Sequence, residues 1–99
     1  MNALIKKDQW VWVVVQDPGE NEQFLGQYDA GTDESFIPIF LEKEEAQYGL
    51  NLLSREKGHK YEAQAIIYEE VADHASDKGF RLFVLNGEGE ILDKVESFK

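Results

Sequence analysis

Cysteine is missing from the sequence, which excludes disulfides, thiolate metal centres and a cysteine nucleophile, and leaves the core alone to stabilise the fold. Long apolar runs are missing too: no segment approaches the ~20 residues of a spanning helix, and the N-terminal MNALIKKD has too short an apolar part for a signal peptide. Basic residues are scarce, ten against twenty acids, for a formal net charge of −10. Such a surface repels phosphate backbones and anionic lipids over at least a Debye length of ~10 Å, so nucleic acid and membrane are not expected as partners. The serines are few, Ser35, Ser54, Ser76 and Ser97, and none lies in a Gly-x-Ser-x-Gly elbow, which argues against acyl transfer. These absences describe a soluble, cytoplasmic protein with no expected cofactor.

What is present is an ordinary globular content, 42% apolar and 12% aromatic over 99 residues, enough for one core and too little for two. The expectation is a single α+β domain over 1–99, with 1–8 as a flexible tail. Trp10 to Val15 is apolar at every position and rich in β-branched and aromatic residues, the pattern of a strand covered on both faces near the middle of a sheet. Asp17-Pro18-Gly19-Glu20 then turns the chain, proline presetting the first turn angle and glycine supplying a positive φ. A second strand over 23–28 and a third over 35–40 complete a meander, and Pro38 places the third at an edge or a bulge because it lacks a ladder donor.

Glu42, Glu44 and Glu45 open a helix that Arg55, Lys57 and Gly58 close, giving 42–56 with a stripe of Ala46, Leu50 and Leu53 and with Gly49 allowing a close approach to the sheet. The alternation of Tyr61, Ala63, Ala65 and Ile67 predicts a fourth strand, and Gly79 ends a short second helix over 69–78. Strands over 80–85 and 91–92 follow, joined by Asn86-Gly87 as a hairpin signal, favoured because both residues tolerate positive φ. The expected order is β-β-β-α-β-α-β-β: about six strands in one mixed or mostly antiparallel sheet, with both helices on one face.

One stretch carries a chemical signature. Residues 69–79 read EEVADHASDKG, and on a helix Glu70, Asp73 and His74 are three and four residues apart, so they share a face and suit manganese, iron or zinc. The opposing explanation accounts for every residue of the stretch: acids favour a helix start, and Val71 with Ala75 forms an inward stripe behind a solvated face. The leading expectation for the metal ligands is therefore none, with this trio as the alternative. His59 reads as a loop residue beside a helix end.

The second candidate is a surface. Trp10, Trp12 and Val14 share one side of the first strand and Val11, Val13 and Val15 the other, so neither side turns polar. With both helices on one face, the other stays apolar unless something covers it, and Trp10, Trp12, Val14, Phe36 and Pro38 become a surface for a protein partner or for a second copy of the chain. A pocket between the first helix and the sheet, tipped by Tyr48 and Tyr61, is a further candidate.

The run Trp12-Val13-Val14-Val15-Gln16, followed by Ile37-Pro38-Ile39-Phe40 and Glu44-Glu45-Ala46, resembles the N-terminal domain of SseB-like bacterial proteins over the first half of the chain. The resemblance implies a compact α/β domain without catalytic residues. The expected function is a non-enzymatic, acidic interaction module that self-associates or binds a protein, the alternative being a metal-binding protein or metal-dependent enzyme that uses the 69–78 segment.

Overall fold

The computed structural model describes residues 5–95. Its elements are β1 (Trp10–Gln16), β2 (Gln23–Phe24), β3 (Gln27–Asp29), β4 (Glu34–Phe40), α1 (Lys43–Leu50), β5 (Tyr61–Ile67), α2 (Tyr68–Lys78), β6 (Arg81–Leu85) and β7 (Ile91–Val95). The class is α+β, with a single mixed sheet of seven strands. The count exceeds the expected six because Leu25-Gly26 divides the second predicted strand into β2 and β3.

β5 runs antiparallel along the whole of β1, from Trp10↔Ile67 to Gln16↔Tyr61. On its other side β1 pairs first with β4, through Trp12↔Phe40 and Val13↔Ile39, and then with β2, through Val15↔Phe24 and Gln16↔Gln23. β4 in turn pairs with β3 at its start and, in parallel, with β6 along its far side, and β7 closes that end of the sheet. β4 is thus central, where Pro38 was not expected.

The local reason can be traced through the ladder. Peptide groups alternate in direction along a strand, and Asp17 N–H donates to the Lys60 carbonyl, which turns the odd residues of β1 toward β5 and the even ones toward β4. The next partner after Trp12↔Phe40 is therefore Val14 with Pro38, which has no N–H to give. The Val14 carbonyl instead accepts Leu25 N–H at 2.8 Å. Proline ends the β1–β4 pairing, and the bent 23–29 segment wedges into the opening.

The helices lie on opposite faces, not on one. Under α1 the core holds Val14, Phe36, Phe40, Ala46, Phe83 and Leu85; under α2 it holds Val11, Val13, Val15, Ile37, Ile39, Leu82 and Val84 with Val71, Ala72 and Ala75. A helix over each face explains why β1 is apolar throughout. Phe36 stacks on Phe83 with ring centroids 4.3 Å apart, and burial of each such ring contributes roughly 1.5–3 kcal/mol. Gly49 allows α1 its close approach: a Cβ there would stand 2.5 Å from the Phe40 ring.

α1 ends at Asn51, well short of 56, and its last turn has no basic residue. Ser54 is pulled from the helix path by the Gln27 amide, whose Oε1 accepts Ser54 N–H at 2.9 Å while its Nε2 donates to Ser54 O at 2.8 Å. α2 matches its expected span, and Gly79 closes it with φ of 79°. Its start has no side-chain cap; Tyr68 and Glu69 N–H donate to the carbonyls of Gln9 and Lys7. Those bonds, with Ile5 buried in the core, tie down residues 5–8 of the expected tail, and residues 1–4 lie outside the described chain. The β6–β7 hairpin also differs in mechanism: positive φ falls on Gly89, and Asn86 acts through Oδ1, which accepts Glu88 and Glu90 N–H. Among the described residues no helix is long and apolar enough to cross a membrane.

Candidate functional site

Glu70, Asp73 and His74 all lie on α2, but they do not converge. The His74 ring packs edge-on against Phe24, centroids 4.8 Å apart, and Glu70, one turn earlier, lines the same groove. Asp73 precedes His74 and is therefore rotated by roughly 100° about the helix axis; it is exposed. Among the described residues no three His, Cys, Asp or Glu side chains come together to hold a metal.

Of the five residues of the expected apolar surface, most are covered: Val14 and Phe36 lie in one core cluster with Trp12 packed against it. Val14 is 1% exposed and Phe36 8%, Pro38 is fully buried, and Trp12 is half-buried with Lys43 Nζ 5.8 Å from its ring centre. Trp10 alone of the five is open, at 59%. Helix α1 already occupies the face that the sequence left uncovered. Of the two tyrosines, Tyr61 has its hydroxyl engaged, donating to Glu56 O at 2.9 Å, and Tyr48 is exposed.

The open feature is an edge. Tyr68 N–H donates to Gln9 O and Asp17 N–H to Lys60 O, and the register between these pairs is unbroken. Alternation then turns Glu62, Gln64 and Ile66 toward β1 and the peptide groups of Tyr61, Ala63, Ala65 and Ile67 outward. Among the described residues no strand pairs with β5 on that side, so the N–H groups of all four and the C=O groups of Tyr61, Ala63 and Ala65 stay open, while the Ile67 C=O opens helix α2 as its N-cap. An edge strand of this kind is a template for another strand.

Inward of this edge, over β1 on the α2 face and between β5 and β2, lies a groove of about 400 Å³. Its floor is Val13, Val15, Phe24 and Ile66, and its polar rim includes Glu22, Gln64, Glu70 and His74. On the α1 side, the middle of β5 shows the small side chains Ala63 and Ala65, facing Val14 and Trp12 across the ladder, with Tyr61 and Ile67 at the two ends.

The end of the edge near Tyr61 is held by a polar clasp that the sequence reading missed. Asp17 Oδ2 lies 2.7 Å from His59 Nδ1, Asp17 Oδ1 accepts Lys60 N–H at 3.2 Å, and Glu56 Oε1 lies 3.6 Å from His59 Nε2. Asp17 takes φ of 54° to do so. The hydrogen bond from His59 holds the Asp17 carboxyl below its ordinary value of 3.8. Aspartate tolerates this backbone region better than most residues, and an aspartate before Pro-Gly, with a histidine forty-two residues on, was the only signal available.

Chemically, this arrangement offers backbone donors and acceptors in a row, an apolar trough and carboxylates beside it. Comparison with protein-family models, with curated proteins and with solved structures gives no match to this chain.

Proposed function

We propose that this chain is a small, acidic, non-catalytic interaction module that binds by strand addition along β5. One observation carries the reading: the outward N–H groups of Tyr61, Ala63, Ala65 and Ile67, and the carbonyls of the first three, face no other strand among the described residues, on a strand of seven residues without proline. Strand addition draws its affinity from such main-chain bonds and its selectivity from the side chains on either face. The cytoplasmic location expected from the lack of cysteine, and the kinship with SseB-like domains, belong to the same proposal.

The test uses proline as a probe of direction. Ala65→Pro removes an N–H that points away from β1, so the sheet is expected to keep its ladder while the edge loses a donor in its centre. A panel of blocked heptapeptides, valine alternating with lysine, serine or glutamate, is titrated into isotopically labelled protein. At least one is expected to shift the amides of Tyr61, Ala63, Ala65 and Ile67, and Ala65→Pro is expected to weaken that binding tenfold or more, about 1.4 kcal/mol. No shift at these four amides with any peptide overturns the reading.

A further inference from the structure

Resting on strand addition at β5, we infer that the partner is a basic extended segment of another protein, with cationic side chains at alternate positions over the α2 face and apolar ones between them.

The two faces of β5 ask for different side chains. A strand laid beside β5 sends successive side chains to opposite faces. On the α2 face its residues stand beside Glu62, Gln64 and Ile66, with Glu70 of α2 on the rim that Gln64 and Ile66 share. Among the described residues no lysine or arginine lines the groove on the α2 side. The Gln64 side chain already turns to acid, donating from Nε2 to Glu62 Oε2 at 3.2 Å. A lysine or arginine opposite Gln64 can lay its aliphatic stem over Ile66 and carry its charge to the rim.

On the α1 face the central neighbours are Ala63 and Ala65, backed by Val14 and the half-buried Trp12 and flanked by Tyr61 and Ile67. Small residues on an edge leave a shelf that larger apolar side chains fill, so valine, isoleucine or an aromatic residue fits there. The pattern is period two, basic and apolar in alternation.

Charge decides against a second copy. A second β5 would bring another Glu62 and another formal charge of −10 to an edge that already carries Glu62 with Glu70 nearby. Like charges brought together disfavour the wrong partner, and opposite ones also speed encounter. The small area of a single added strand leaves little apolar burial to offset that repulsion.

The same peptide panel separates this inference from the reading beneath it. The lysine-valine peptide is expected to bind at least tenfold more tightly than the glutamate-valine peptide, with the preference shrinking in high salt. It is expected to slow hydrogen exchange of the Tyr61, Ala63, Ala65 and Ile67 amides. The double change Glu62→Gln, Glu70→Gln, at two exposed sites, is expected to reduce the preference at least threefold and to move serine-valine binding far less. If the serine-valine and glutamate-valine peptides protect the four amides as well as the lysine-valine peptide does, strand addition stands and the basic partner is wrong. If no peptide protects them, both fail. Concentration-dependent protection without any peptide identifies a second copy as the occupant and overturns the inference.

Discussion

At one margin of the sheet, β5 offers seven residues with a single charged side chain, Glu62, and an unbroken register to its neighbour. At the other, β7 has five residues, includes Asp93 and Lys94, and follows a register irregularity at Val84/Leu85. Lys94 also holds its ammonium 4.9 Å from the centre of the Phe83 ring. Short strands, charges on the strand and local irregularity are the means by which sheets discourage edge-to-edge pairing. β7 has all three and β5 none but its one glutamate. The difference teaches that exposure of an edge is not enough to define a binding site; it must also lack the features that close it.

The largest way to break the comparison is to remove what supports the closed margin. Phe83 is fully buried beneath Lys94, and Phe83→Ala is expected to cost about 3–5 kcal/mol, measured by denaturant unfolding, with β7 amides exchanging sooner than those of β5. Next comes a proline moved by one residue on the open margin. Gln64→Pro orphans the Val13 carbonyl that its N–H faces, and is expected to cost about 1–3 kcal/mol, whereas Ala65→Pro stays within about 0.5 kcal/mol. Equal losses for the two variants would mean that the ladder runs in the other phase.

Lys94→Val opens the closed margin without touching the other. Folding stability is expected to move by less than about 1 kcal/mol, while sedimentation shows concentration-dependent association that the parent chain lacks. The smallest effect lies in the clasp at the Tyr61 end of β5. Because His59 holds the Asp17 carboxyl below 3.8 in the folded state, its stabilisation is complete above that value and is lost as pH falls through the lowered one. Asp17→Asn is therefore expected to be less stable than the parent near neutrality and to converge with it in acid, the midpoints of urea unfolding providing the check.

Much of the fold was legible because local chemistry and tertiary packing agree. Gly79 ends α2 where it was expected to, and Pro18-Gly19 turns the chain with Gly19 at φ of 86° and Glu20 N–H on Asp17 O at 3.0 Å. The failures arose where a distant residue intervened. The end of α1 depends on Gln27 reaching Ser54, twenty-seven residues away, and no local pattern encodes that. Pro38 was placed at an edge or a bulge by a sound rule, but the rule concerns one side of a strand, and here, on a central strand, the missing donor faces a gap filled by Leu25.

The candidate site was less legible. Periodicity placed Glu70 and His74 on one face of α2, as found, yet it could not show that Phe24 from β2 packs against the imidazole. The apolar faces of β1 suggested a partner surface because the positions of the two helices relative to the sheet are not written in either helix. Alternation of Tyr61, Ala63, Ala65 and Ile67 identified β5 itself. That β5 is an edge follows only from the order of strands, which depends on how β1 chooses its neighbours.

Hydrogen exchange of the seven β5 amides in dilute protein tests the account most directly. The open edge predicts an alternation, with Glu62, Gln64 and Ile66 slow and Tyr61, Ala63, Ala65 and Ile67 fast. Uniform protection of all seven, unchanged on dilution, would show that the chain covers its own margin and would contradict the account.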